Sequence, residues 1–88
     1  MRTAFRKSFE RDLKKIKGRD ILNRVRAAIE QVEAADTLQE IEDLKKMKGG
    51  DNFFRIRIGE YRIGIAVEGE TVEFIRCLPR KDLYRYFP

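Results

Sequence analysis

Between Phe53 and Leu78 apolar residues recur at every second position in three runs, FFRIRI, YRIGIAV and TVEFIRCL, separated by Gly59-Glu60 and by Glu68-Gly69-Glu70. A period of two marks strands with one buried face, and links this short join only antiparallel neighbours. The spacing therefore predicts a three-strand meander over Phe53 to Ile58, Tyr61 to Val67 and Thr71 to Leu78. Glycine at the first loop position favours a type II′ turn, and a two-residue turn fixes the register. It sets Arg57 against Arg62, Arg55 against Gly64 and Ile56 against Ile63. Phe54, Ile56, Ile63, Ile65 and Val67 then share one face, while Arg55, Arg57 and Arg62 share the other.

Like charges directly opposed across a ladder cost on the order of 0.2 to 1 kcal/mol. No acidic residue shares their face on these two strands, and Gly64 leaves space beside Arg55. The cluster is read as an anion site. A second two-residue turn would put Thr71, Glu73, Ile75 and Cys77 on the arginine face and send Arg76 to the other. Glu73 there would either neutralise part of the cluster or serve as a base.

The first half has the period of helices. Arg2 to Phe5 reads as an edge strand; Ser8 is placed to cap a helix carrying Phe9, Leu13 and Ile16, which Gly18 stops. Asp20 is placed to cap a longer helix with an apolar stripe of Ile21, Leu22, Val25, Ala28, Ile29 and Val32. The short link makes the two an antiparallel hairpin. Thr37 to Leu44 is read as a further helical turn, and Lys45 to Asn52 as a loop. After Pro79, RKDLYRYF is a helical turn or docked tail carrying Leu83, Tyr84 and Phe87. The expectation is one α+β domain over residues 1–88, with a strand and a helical hairpin on one face of a small, mainly antiparallel sheet.

Composition narrows the partners. The 88 residues carry a formal charge of +5 and no histidine. Residues 1–44 hold ten Lys/Arg against nine Asp/Glu, and residues 45–88 hold ten against six, so the excess lies with the strands. A basic sheet of this size suits a polyanion or an acidic protein segment. The single cysteine, Cys77, and the missing histidines argue against a disulfide and against a zinc site. No metal or cofactor is expected. No apolar run has the length of a membrane span or a signal peptide, which points to the cytoplasm and to no membrane partner.

The motifs LKKMKG, FFRIRIGEYRIGIAV and PRKDLYRYF together resemble the RelE/ParE superfamily of toxins from toxin-antitoxin systems, nearest the RelE branch, and the likeness extends over nearly the whole chain. It implies a RelE-like α+β fold and ribosome-dependent endoribonuclease activity, with mRNA cut in the A site by attack of the ribose 2′-OH on the adjacent phosphate. Carried over by position, the catalytic residues would be Arg55, Arg57, Arg62, Arg80 and Tyr84, with Tyr84 stacking on or orienting a base. Lys45, Lys46 and Lys48 of the basic loop, and Lys81 and Arg85 of the tail, would hold the RNA. The partners implied are a cognate antitoxin, the ribosome and mRNA, with the toxin-antitoxin complex reaching operator DNA through the antitoxin.

Pro79 stands where many relatives have a histidine, and arginines stand where some have lysines. Glu73, Asp82, Tyr84 and Lys81 are the candidates for acid or base. The other functions consistent with the resemblance are a ParE-like poison of DNA gyrase and an inactive relative that acts through antitoxin binding.

Overall fold

In the computed structural model, which describes residues 1–88, the chain runs β1 (Arg2–Phe5), α1 (Lys7–Lys15), α2 (Arg19–Ala34), a 3-10 turn (Leu38–Glu40), β2 (Leu44–Lys46), β3 (Phe53–Ile58), β4 (Tyr61–Glu68), β5 (Thr71–Pro79) and α3 (Arg80–Tyr86). The five strands form one sheet in the order β1-β5-β4-β3-β2. Only the β1–β5 pair is parallel. Gly59 has φ +60 and Glu60 has an ordinary φ, as a type II′ turn requires. The β3–β4 register is the one the turn dictates: Arg57 faces Arg62, Arg55 faces Gly64, and Ile56 faces Ile63.

The helical hairpin covers the apolar face. Phe9, Ile16, Val25, Ala28 and Val32 from α1 and α2 bury against Ile56, Ile63, Ile65, Val72, Phe74 and Cys77 from the sheet. Each Val, Ile or Phe among them contributes roughly 1.5–3 kcal/mol by leaving water. Ser8 and Asp20 are not the caps. The caps lie two residues earlier, at Arg6 and Gly18, and neither gives a side-chain cap. Ser8 instead donates its hydroxyl to the carbonyl of Ile75 at 2.6 Å.

The stretch after α2 differs from the expected helical turn and loop. Thr37 and Glu40 form a capping box around three residues of 3-10 helix. Residues 44–46 then pair with β3 as an edge strand. Three residues are too few to show a period, so this strand is decided by its neighbour rather than by its own pattern.

The other departure lies in β5. Phe74 pairs with Ile65 and Arg76 with Gly64, so Ile75 is an extra residue, a β-bulge. Parity inverts beyond it, and Cys77 packs in the main core opposite Ile63 rather than on the arginine face. The bulge also explains Arg76. Past the end of β1, the outer edge of β5 is satisfied by α1 instead of by a strand: Ser8 takes the Ile75 carbonyl, and Asp12 Oδ2 accepts from the Cys77 amide at 2.9 Å. Asp12, 4% exposed, also holds the Arg76 guanidinium through both oxygens, at 2.8 and 3.1 Å. Burial and the nearby carboxylate push the Cys77 thiol up to about 12. It is inert packing at neutral pH.

The opposite face is not bare. Leu83 and Phe87 from the C-terminal segment fold back on it and, with Met47, make a second small core against Phe53, Ile75 and Leu78. The Phe87 ring sits directly on Gly64, where a Cβ would come within 2.8 Å of it. The space beside Arg55 is therefore the seat of Phe87, which corrects the reading of it as room for an anion.

Removing Asp12 would orphan a buried amide and half of a guanidinium. Asp12→Ala is expected to lower stability by about 2–3 kcal/mol, read as a fall in the urea midpoint at unchanged slope.

Candidate functional site

The opposed arginines avoid one another by turning to different partners. Arg62 is 7% exposed and bends back over the hairpin, where its Nη1 donates to the carbonyls of Gly59 at 2.8 Å and Tyr61 at 2.9 Å. Arg57 stays in solvent, with Asp43 Oδ1 3.9 Å from its Nη2. Arg55 donates from Nη1 to the Asp43 carbonyl at 2.9 Å. Asp43 adopts φ 59, a left-handed conformation that short polar residues tolerate, and its carbonyl also receives the Arg57 amide. The sequence pattern places that residue in a helical turn. Nothing in a single aspartate marks it as the support of two arginines.

Buried guanidinium groups normally spend all their donors. Here Arg55 Nε and Arg62 Nε are both buried and without a partner. Both groups are held by neutral carbonyls rather than by carboxylates, so their charge is not cancelled. α3 sets Tyr84, 54% exposed, beside them because Leu83 is anchored in the small core one position earlier. Partial burial pushes the Tyr84 phenol up, but hydrogen bonding and charge from Arg55, reinforced by Arg62, outweigh it. The phenol is held below the ordinary tyrosine value. A hydroxyl and two under-used cations thus meet at one spot, a combination suited to a phosphate group.

Arg80 begins α3 and is tied to the same turn, its amide donating to the Glu60 carbonyl at 2.8 Å. Arg57, Arg62 and Arg80 line one open cleft of about 710 Å³ between the end of the hairpin and α2. Arg24 of α2 lines it too, a residue outside the apolar stripe of its helix.

Known proteins resemble this chain in sequence and fold. Residues 4–84 match the family described as the ParE toxin of type II toxin-antitoxin systems. Toxin RelE3 of Methanocaldococcus jannaschii is 45% identical over the full length of both chains. The chain belongs to the RelE/ParE toxin superfamily. Its fold overlays the RelB-RelE antitoxin-toxin complex from Methanococcus jannaschii with a TM-score of 0.80 at 45% identity, covering 97% of this chain and 99% of that one. The archaeal RelE-RelB complex from Pyrococcus horikoshii gives 0.73 at 20% identity, with 90% and 93% covered. YafQ from E. coli gives 0.75 at 11%, with 96% and 99% covered, a likeness of fold alone. The architecture is α+β of the RelE type.

Within this RelE-like scaffold the expected residues separate. Arg55, Arg62 and Tyr84 come together, and Arg57 and Arg80 flank them across the cleft. Lys45 lies opposite Arg55 on the arginine face. Lys46 lies opposite Phe54, whose side chain packs with the helices, and has Asp51 at 3.9 Å; it faces away from the cluster. Lys48 follows the edge strand, and Lys81 and Arg85 are exposed on α3. Asp82 stands in the first turn of α3.

Glu73 does not meet the cluster. Its register partner is Ala66, near the β1 side of the sheet, and its carboxylate is taken by Arg6 at 2.9 and 3.3 Å. The β1–β5 pairing brings that arginine within reach, a long-range contact with no trace in the local pattern. Glu73 is thereby removed from the neutralising role.

The Tyr84 environment has a measurable consequence. An ultraviolet pH titration should show one phenol ionising below the usual tyrosine range, and Tyr84→Phe should abolish that phase. Arg55→Gln should move the phase upward, since removing a positive neighbour disfavours the phenolate. An unchanged titration in Arg55→Gln would disprove the pairing.

Proposed function

We propose that this chain is the toxin of a toxin-antitoxin pair and cleaves mRNA on the ribosome by attack of a ribose 2′-OH on the adjacent phosphate. The observation that carries this reading is the meeting of Arg55 and Arg62, both held by neutral carbonyls rather than carboxylates, with a phenol of lowered pKa. As the 2′ oxygen bonds to phosphorus, negative charge grows on the non-bridging oxygens. Arg55 and Arg62, held in place by carbonyls that leave their charge uncancelled, stabilise it. Tyr84 accepts the 2′-OH proton in its ionised form, which the neighbouring arginines favour; the P–O5′ bond breaks, and the departing 5′ oxygen is protonated by solvent. The products are a 2′,3′-cyclic phosphate and a 5′-hydroxyl end.

With no histidine in the chain, the tyrosine is the group at the cluster able to exchange a proton, because arginine does not deprotonate. Arg57, Arg80, Lys45, Lys81 and Arg85 would hold the flanking backbone. Arg55 and Arg62 need no metal to meet a phosphate. The relatives in complexes with RelB support a cognate antitoxin as partner, one whose acidic segment is attracted to the basic sheet.

The family description keeps one other reading in view, inhibition of gyrase in the manner of a ParE toxin. Expression followed by primer extension on cellular mRNA separates the two. Wild type should arrest growth and leave codon-positioned ends. Arg62→Gln and Tyr84→Phe should each lower cleavage by about 10²–10³-fold, with folding confirmed by the urea midpoint. Arrest with intact mRNA and gyrase-DNA cleavage complexes would overturn the nuclease reading in favour of the ParE one.

A further inference from the structure

The hairpin turn at Gly59-Glu60 is bracketed by arginines from three separate elements. Arg62 reaches the Gly59 carbonyl from β4, Arg80 donates its amide to the Glu60 carbonyl from α3, and Arg24 arrives from α2. The Arg24 guanidinium lies so close over the turn that a Cβ on Gly59 would fall 2.8 Å from its Nη1. Gly59 thus does two things. It supplies the positive φ, and its missing side chain lets a guanidinium rest on the backbone.

Arg24 has no carboxylate partner. Asp20 stands one turn earlier on its own helix, and Glu42, Asp43 and Glu60 line the same cleft, yet none comes within 4.0 Å of it. Ala27 and Ala28, the next residues of α2 along the cleft, are small and leave it open. The two walls differ in net charge: Arg24, Arg62 and Arg80 gather around the turn against the one carboxylate of Glu60, while Glu42 and Asp43 outnumber Arg57 on the side where the chain enters β2. A polyanion entering the cleft is drawn to the turn and repelled from the far wall.

We infer that the RNA backbone leaves the Arg55–Arg62–Tyr84 site over the hairpin turn and into the cleft against α2, where Arg24 binds a phosphate flanking the scissile one. This rests on the nuclease reading above and adds a positioning residue to it. Arg24 touches no reacting atom. It sets the direction in which the strand runs, and its contribution is independent of base identity because a phosphate carries no sequence information.

The test uses the purified full chain and a fluorescein-labelled 12-nucleotide single-stranded RNA with 2′-O-methyl riboses, which cannot be cut. Binding is followed by anisotropy from 50 to 300 mM salt. Arg24→Ala should weaken binding about 3–10-fold for RNAs of unrelated sequence and reduce the slope of log affinity against log salt by about 0.7, the value for one phosphate contact on a single strand. Arg24→Lys should recover most of that slope. Arg26→Ala, which removes an exposed arginine of the same helix outside the cleft, should change affinity less than twofold.

If Arg24→Ala behaves like Arg26→Ala while Arg62→Gln still weakens binding, the path over the turn is wrong and the site reading stands. If wild type binds the RNA no better than Arg62→Gln, both fall.

Discussion

The β3–β4 ladder is the constraint from which the site follows. A two-residue turn with glycine at its first position leaves one register, and that register puts Arg57 against Arg62 and Arg55 against Gly64. The resulting charge conflict is not neutralised by acids on the neighbouring strands. It is relieved by spreading the three guanidinium groups over backbone carbonyls and a solvent-exposed aspartate. The carbonyls orient the groups without cancelling their charge, and two Nε donors stay unused inside the fold. A sheet optimised for stability alone would not keep them.

The same ladder determines how the C-terminal segment docks. Gly64 lacks the side chain that would otherwise occupy the middle of the arginine face, so Phe87 lies flat against it and Leu83 anchors beside it. Tyr84 is consequently held next to Arg55 and Arg62 by packing one residue away, not by any bond of its own backbone to the strands. Small-core burial thus has a direct electrostatic result, the lowered phenol pKa. Loss of Phe87 would loosen the phenol as well as the tail.

Much of this could be read in the chain before folding was considered. Alternation in FFRIRI and YRIGIAV, with Gly59-Glu60 between them, is local information, because a turn acts over four residues and a pleat over two. The arginine cluster was therefore legible, as were the helical hairpin and the strand at Arg2–Phe5. The edge strand at Leu44–Lys46 was not, since its conformation is imposed by pairing with β3. The bulge at Ile75 was equally hidden. It depends on Ser8 and Asp12, more than 60 residues away, being present to satisfy the edge that β1 leaves uncovered.

What the sequence by itself determined was the hairpin, the identity of the residues on its polar face and the resemblance to RelE/ParE toxins. Tertiary structure decided which charges remain available. Arg6 takes Glu73 out of reach, Asp12 takes Arg76, the Asp43 and Gly59 carbonyls take one end each of Arg55 and Arg62, and Gly59 makes room for Arg24 from α2. The physical reason is one of range. Turn chemistry and strand period act between near neighbours, whereas whether a guanidinium is spent or free depends on which groups distant parts of the chain bring within about 3 Å of it.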